Sequence, residues 1–347
     1  MRIAKLWVML GTVILLGMNW PLLVRAQRSD AVNGNDIGYS VAAKLPNNQI
    51  DKQQSYFDLK MVPGQREKLQ ATIYNSSTDT IEVESAVHTA YTNTNGIIDY
   101  ATPIKQFDPS LRYQLGRMSQ LKDGPRVKLP AHTSKVVTVE VTMPAAPFNG
   151  VILGGWYFKR VNTKVTGEVK GASTVSNEYA YALGLKCTLG KVPAPQLRVD
   201  KVGAGLVNAR RGILPEIRNV SAVIVPEITT QTEITDKSSG KVIKKASQQH
   251  VQFAPNTLYK YPVLTGREPV RAGRYHLHMV AKNLKHRWVF DRDFKISAAD
   301  AQKINRATVD STPINPLWWA LMGALVMLIV GCLLMWLYRY LRTNKQS

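Results

Sequence analysis

Apolar and polar residues alternate with a period of two through most of the middle of the chain. Leu69, Ala71 and Ile73 alternate with polar neighbours, and after a polar turn the same period continues at 81–87. It recurs at 137–142, between two proline-containing turns. Alternation interrupted by turn residues is typical of half-buried β-strands, and many short strands at this spacing predict β-sandwiches.

A change in composition divides this region into two parts. A glycine- and aromatic-rich strand at 150–158 is followed by a polar stretch, and strand patterns resume at 178–185, the strand predicted to open the second part. We therefore predict an all-β fold of two tandem immunoglobulin-like β-sandwiches, at 37–161 and 177–297, with 162–176 as a hairpin loop or linker.

The start of the chain has the composition of an export signal. Arg2 and Lys5 precede an uncharged apolar run that reaches Val24, and Ala26 ends a small-residue site. This order predicts a cleavable signal peptide at 1–26, with an uncleaved N-terminal anchor as the alternative.

The other end carries a second apolar run. Residues 317–337 contain no charged side chain, and about 20 residues at about 1.5 Å each match a hydrocarbon core of about 30 Å. We predict a stalk at 298–315, a single C-terminal transmembrane helix at 316–338 and a basic cytoplasmic tail at 339–347. The expected localisation is the cell membrane, single-pass, with the ectodomain extracellular and within the cell wall.

Charge and cysteine content narrow the class of protein. The chain has a net charge of +21, of which 27–185 carries +3 and 186–315 carries +12. Outside a cell such a field favours anionic wall polymers, acidic proteins or sulfated glycans over nucleic acid, although a merely solvated surface is the open alternative. Cys187 and Cys332 fall on opposite sides of the predicted membrane boundary, so no disulfide is expected.

Two groups of residues are candidate binding sites. Asn93, Asn95, Asp99 and Tyr100 surround an Asn-Gly turn, where amides and a tyrosine ring suit contact with a glycan; turn geometry alone is the competing interpretation. A cluster of basic residues in the second part could form a patch for an anionic partner, or could be dispersed solubility charges. Its candidate members are Lys244, Lys245, Arg271 and Arg274.

Catalytic and metal sites are not expected. His276 and His278 would share one face of a strand, but no Cys or suitably spaced carboxylate completes a metal site. Asp291 and Asp293 are interpreted as surface ion-pairing groups, and Cys187 as a buried, unreactive thiol. Since no catalytic or phosphate-binding motif is present, we predict a protein that is not an enzyme and needs no cofactor.

Several short phrases occur together along most of the chain. In the first part they are YFDL at 56–59, PGQ at 63–65, TNGIIDY at 94–100 and GVILGGWYF at 150–158. In the second they are EYAYA at 178–182, GLVN at 205–208, APN at 254–256, AGRY at 272–275 and WVF at 288–290. Together they resemble the WxL-interacting proteins of Gram-positive bacteria.

The resemblance implies a non-enzymatic surface adaptor. Its first domain is expected to bind peptidoglycan or another wall polymer, and its second a WxL-domain surface protein or a host extracellular-matrix protein. A tethered assembly chaperone is the alternative, since an exposed sheet edge at 151–158 could complete a partner's sheet. A wall-acting enzyme is a third possibility, against which the missing catalytic residues argue.

Overall fold

A computed structural model describes residues 38–161 and 179–310 and a helix at 316–343, with side chains at 322–336 of that helix. The predicted signal peptide at 1–26 and the predicted linker at 162–176 lie outside the described residues, as does the end of the predicted tail. Within the described residues, strands predominate and pair into four sheets and one short hairpin. The predicted all-β fold is therefore confirmed.

Two sheets form the first sandwich. The four-stranded sheet has the order β1 (Tyr39–Lys44), β3 (Arg66–Asn75), β9 (Ser134–Thr142) and β7 (Ser119–Leu121). The five-stranded sheet has the order β2 (Phe57–Met61), β11 (Ala180–Leu189), β10 (Gly150–Val161), β4 (Ile81–Thr89) and β8 (Arg126–Leu129). A hairpin of β5 (Tyr91–Thr92) and β6 (Ile98–Asp99) follows β4.

Alternation in the sequence sets the core of this sandwich. Leu69, Ile73 and Val139 face inward from the first sheet, and Trp156 and Phe158 face them from the second, all of them buried. Burying each such side chain contributes about 1.5–3 kcal/mol, which makes this apolar layer the main stabilising element of the sandwich.

The strand at 151–158 is not a sheet edge. β10 lies between β4 and β11, and its residues pair with both neighbours, for example Gly155 with His88 on one side and with Gly184 on the other. Its backbone hydrogen bonds are therefore already made. This corrects the expectation of an exposed edge at 151–158 and removes the basis for strand complementation there.

The strand β11 belongs to the first sandwich. It pairs antiparallel with β10 and parallel with β2, and Leu185, Cys187 and Leu189 complete the first core. The predicted domain boundary at 177 therefore does not coincide with the division between the sheets. The strand was expected to open the second domain because it follows a polar stretch, but it pairs with the preceding strand β10 and with β2, which lies far away in sequence.

The second sandwich also has two sheets. One contains β12 (Leu197–Val207), β13 (Arg210–Asn219) and β16 (Thr257–Lys260) in that order, with β17 (Val263–Leu264) also paired to β13. The other has the order β15 (Val242–Phe253), β14 (Val225–Asp236), β18 (Gly273–Lys282) and β19 (Arg287–Ile296). Their inner faces bury a shared core that includes Ile217, Ile234, Phe253, Tyr259 and Leu277.

The segment predicted as a stalk packs against the second sandwich. It forms the helix α1 (Ala298–Ala307), which Ser297 caps by accepting a hydrogen bond from the Asp300 amide. Ala301 and Ile304 are buried, and Asn305 exchanges two hydrogen bonds with the backbone of Val270. The helix is thus part of the domain and not a free stalk.

The last described element is the helix α2 (Pro316–Thr343). Within the part of the chain that the structure describes, no helix is both long enough and apolar enough to cross a membrane. This finding contradicts the predicted transmembrane helix at 316–338 and the predicted single-pass membrane localisation.

Candidate functional site

Two glycines lie side by side on the outer face of the five-stranded sheet. Gly155 in β10 pairs with Gly184 in β11, and both point away from the core because their neighbours Trp156 and Leu185 point into it. His88 of β4 continues the same row on the other side of Gly155. The absence of side chains leaves a depression in the sheet surface.

Tyrosine rings cover this depression. A Cβ atom added at Gly155 would lie 2.1 Å from Cδ2 of Tyr100, so the ring rests directly on the backbone of β10. A Cβ atom at Gly184 would lie 3.5 Å from Cβ of Tyr56 and 3.6 Å from the hydroxyl of Tyr100. Both tyrosines are partly exposed, and the glycines are what allow the rings to approach the sheet.

A second aromatic pair extends the surface. The rings of His88 and Tyr157 are 5.5 Å apart and tilted by 31°. Nδ1 of His88 lies 3.1 Å from the carbonyl oxygen of Tyr100, which ties this pair to the first. We call this surface the tyrosine face. It consists of Tyr56, Tyr100, Tyr157 and His88 around Gly155 and Gly184.

The hydroxyl group of Tyr100 stays neutral. Burial raises the pKa of Tyr100, and the neighbouring Tyr56 and Asp99 raise it further. At neutral pH its hydroxyl can therefore both donate and accept a hydrogen bond.

An ion pair lies on the same face of the sheet, two residues beyond Gly184 along β11. Nζ of Lys186 is 3.0 Å from Oδ2 of Asp58, and the Asp58 side chain is only 8% exposed. Among the described residues Oδ1 of Asp58 has no hydrogen-bond partner, and the same holds for Oγ1 of Thr188 on the next row. Polar groups of both signs thus border the aromatic surface.

The predicted glycan residues separate into two groups. Oδ1 of Asn93 accepts hydrogen bonds from the amides of Asn95 and Ile97, and both oxygens of Asp99 accept bonds within the same segment. These hydrogen bonds stabilise the turn and the residues that follow it. Tyr100 is the member that reaches the tyrosine face.

The turn itself differs from a two-residue type I′ turn. Gly96 has a φ of +76°, whereas Asn95 is not among the described residues with positive φ, and the amide of Asn93 bonds to the carbonyl of Ile97. The loop is therefore longer, with a single left-handed glycine at its end.

This hairpin docks on the second sandwich. The amide of Gln252 donates to the carbonyl of Gly96 at 2.7 Å, and Nε2 of Gln248 donates to the carbonyl of Asn95 at 2.6 Å. Oγ1 of Thr92 accepts from the amide of Ala254 at 3.0 Å. The segment that ends in Tyr100 is thus fixed at its tip by β15.

An ion pair between Asp108 and Arg218 joins the two sandwiches. Nε and Nη2 of Arg218 donate to the two carboxylate oxygens of Asp108 at 2.6 and 2.7 Å, and Nη1 donates to Asp200 at 2.8 Å. Burial would raise the pKa of Asp108, but hydrogen bonds from Arg218 and Ser110 outweigh it and hold the pKa below its ordinary value. The Asp108 carboxylate therefore stays ionised across the physiological range.

The four basic residues predicted as a patch do not form one uninterrupted surface. Lys244 and Lys245 are successive residues of β15 and point to opposite faces, and Nζ of Lys245 is 2.8 Å from Glu233. Arg274 shares the outer face of its sheet with two carboxylates, Asp291 and Asp293. Arg271 is exposed in the loop before β18.

The strand histidines lie on a solvated face. His276 is 2.7 Å from Asp293, and His278 is 2.7 Å from Asp291. The hydrogen bond to Asp293 is the main cause that raises the pKa of His276. Within the described residues no group of His, Cys, Asp or Glu side chains could hold a metal ion.

Cys187 is buried, as predicted. Cys187 has no exposed surface, and burial raises the pKa of its thiol to about 12. It is therefore a neutral thiol inside the first core, where it packs as a small apolar side chain.

Sequence reasoning missed most of the tyrosine face. His88, Tyr157 and Gly184 come from three separate strands and Tyr56 directly precedes a fourth, and only strand pairing brings them together. A usable signal was present in the outward positions of 150–158, where a glycine stands between larger residues on one strand face.

Comparisons with known proteins address both sandwiches. The family model described as WxL Interacting Protein, peptidoglycan binding domain, matches residues 39–160. The model described as WxL Interacting Protein, host binding domain, matches residues 170–306 and so includes β11, which the sheet pairing places in the first sandwich. No match is found among curated proteins.

Solved structures similar to this chain include fimbrial chaperones at low identity. The Salmonella enterica SafA pilin in complex with the SafB chaperone is 12% identical, with 73% of this chain and 95% of that chain covered and a TM-score of 0.31. The E. coli chaperone DraB is 13% identical, with 74% and 96% covered and a TM-score of 0.28. Since the two family models together match well over half of the sequence, the chain belongs to the WxL Interacting Protein family and carries its peptidoglycan binding and host binding domains.

Proposed function

We propose that this protein is a non-enzymatic cell-surface adaptor. Its first sandwich binds peptidoglycan through the tyrosine face, and its second binds a protein, either a WxL-domain surface protein or a host matrix protein. The descriptions of the two matched domains support binding roles for both halves. The observation that carries the glycan assignment is the pair of tyrosine rings held on Gly155 and Gly184.

The chemistry of the tyrosine face suits a sugar. An aromatic ring presents a flat apolar surface on which the C–H face of a pyranose can pack, while the hydroxyls of Tyr56 and Tyr100 can exchange hydrogen bonds with those of the sugar. Lys186 and Asp58, next to this surface, add a donor and an acceptor. A shallow face bordered by polar groups accepts an extended polymer, which a closed pocket would not.

Of the four predicted glycan contacts, Tyr100 is proposed as a direct one. Asn93, Asn95 and Asp99 are proposed to act indirectly, because their side chains or carbonyls hold the hairpin that positions Tyr100.

The test is sedimentation of the purified full-length chain with isolated peptidoglycan. We expect Tyr56→Ala with Tyr100→Ala to weaken retention about tenfold, since two aromatic contacts of about 0.5–1.5 kcal/mol each are lost. Tyr74→Ala is the matched control, because Tyr74 is 45% exposed on β3 in the other sheet. Equal retention of the wild type, the double variant and the control would show that the tyrosine face does not bind peptidoglycan.

A further inference from the structure

The strand β15 is the terminal strand of its sheet. It is twelve residues long, and its sheet partner is β14. A strand in this position presents one row of backbone amides and carbonyls that no neighbouring strand has paired. Long unprotected edges are uncommon in natural proteins because they invite pairing with other chains.

Part of this edge is already used by the chain itself. The hairpin β5–β6 bonds to its C-terminal half, through the contacts of Gln252 with Gly96 and of Gln248 with Asn95. Among the described residues, no backbone hydrogen bond joins 242–247 to an element other than β14. The unpaired portion is therefore directly continuous with an existing interface.

The unpaired portion is exposed and partly apolar. None of its residues is buried, and Val242 and Ile243 are 37% and 36% exposed. Successive residues of a strand point to opposite faces, so each face of this edge offers one apolar anchor to an added strand.

The positive charge around this portion of β15 favours an acidic partner. The segment 233–245 contains four lysines and two carboxylates. Lys245 pairs with Glu233, whereas no carboxylate within the described residues pairs with Lys241 or Lys244. An acidic strand would neutralise this excess.

The opposite edge of the same sheet is less available. β19 contacts β12 of the facing sheet, and Nε of Arg292 donates to the carbonyl of Val199 at 3.1 Å. Of the two terminal strands, β15 therefore offers the freer backbone.

We infer that 242–247 of β15 is the docking edge for an extended, acidic segment of a WxL-domain protein, which adds to the sheet as a further strand. This inference rests on the proposed function, since it specifies how the second sandwich binds its protein partner. Main-chain bonds would supply affinity, and the apolar anchors and lysines would supply specificity.

The test uses the full-length chain and a purified WxL-domain protein. Amide hydrogen exchange in the complex should slow at least about tenfold at 242–247, because the amides that now face solvent become hydrogen-bonded. Lys241→Glu with Lys244→Glu should weaken binding about tenfold at low salt, and by less at high salt, where exposed charges are screened.

The matched control is Lys68→Glu with Lys135→Glu. Both lysines are exposed in the four-stranded sheet of the first sandwich, and the change in net charge is the same. Slowed exchange at 242–247 with weakening confined to the β15 variant would support the inference. Slowed exchange elsewhere, or equal weakening by both variants, would overturn the assignment of 242–247 as the docking edge but not the proposed adaptor function. A wild-type chain that binds no WxL-domain protein would overturn both the docking edge and the proposed binding of a WxL-domain protein by the second sandwich.

Discussion

Glycine at 155 determines whether the aromatic surface exists at all. Any side chain there would occupy the place of the Tyr100 ring, because an added Cβ lies 2.1 Å from one of its carbons. The tyrosine face therefore requires residues without a side chain, and Gly155 and Gly184 on the adjacent strands β10 and β11 meet this requirement.

We expect Gly155→Ala to weaken peptidoglycan retention although no contacting group is removed. The new methyl displaces the Tyr100 ring from the sheet. The matched control is Gly203→Ala in β12, where nothing lies within 4 Å of the added Cβ. The measurement is peptidoglycan sedimentation, with circular dichroism to confirm that both variants fold. Retention of Gly155→Ala at the wild-type level would show that ring placement is irrelevant to binding.

Elements beyond single residues decide how the tyrosine face is held. The hairpin β5–β6 connects Tyr100 to the second sandwich, and its tip carries Gly96 with a φ of +76°. A Cβ atom at Gly96 would lie 3.0 Å from Nε2 of Gln248 and 3.1 Å from the hydroxyl of Tyr259. The tip is thus restrained both by its backbone conformation and by its docking contacts.

Gly96→Ala should therefore destabilise the protein more than an alanine at a comparable glycine. Gly124 has a φ of +80° with nothing within 4 Å, so Gly124→Ala reports the backbone strain of about 1 kcal/mol by itself. We expect Gly96→Ala to lower the free energy of unfolding by roughly 1–2 kcal/mol more, as measured by urea denaturation. Equal losses for the two variants would mean that the docking contacts contribute nothing.

The sequence predicted the positions of the strands better than it predicted which strands pair with each other. The alternation at 69–73, 81–87 and 137–142 identified β3, β4 and β9, because burial of one face imposes a period of two. It could not place β11, whose apolar positions would suit the core of either sandwich. Pairing depends on the shape of the whole sheet, which no local pattern records.

The same limit explains the error about β10 and the failure to assign most residues of the tyrosine face. A strand rich in glycine and aromatics is compatible with an edge or with a centre, and only its two partners show that β10 is central. Tyr100 was identified because it stands beside an Asn-Gly turn. Tyr56 and Gly184 could not be assigned with it, since they meet Tyr100 only through the register of β2, β10 and β11.

At the scale of the whole molecule, an ion pair joins the two sandwiches. Asp108 and Arg218 connect the sandwiches through two short hydrogen bonds, and the Asp108 side chain is 1% exposed. Removing one member of such a pair leaves a buried charge uncompensated, which costs about 3–5 kcal/mol when both partners are buried. Since Arg218 is 24% exposed, the loss here should be at the lower end.

Asp108→Asn should therefore lower the free energy of unfolding by about 2–3 kcal/mol at pH 7. The folded-state pKa of Asp108 is depressed, so its contribution is present above the ordinary value of 3.8 and is lost as the pH falls through the folded value. The difference between wild type and Asp108→Asn, measured by denaturation at several pH values, should be constant near neutrality and shrink below about pH 3.8. A difference that already declines between pH 7 and pH 5 would contradict the assigned pair.

The most direct test of the adaptor function is whether the chain links a WxL-domain protein to peptidoglycan. Isolated peptidoglycan is mixed with a purified WxL-domain protein, with and without the full-length chain, and the pellet is assayed for the WxL-domain protein. We expect the wild-type chain to bring this protein into the pellet. The Tyr56→Ala, Tyr100→Ala chain should do so about tenfold less while still binding the WxL-domain protein in solution. A WxL-domain protein that sediments equally with and without the chain, or equally with both chains, would contradict the proposed adaptor function.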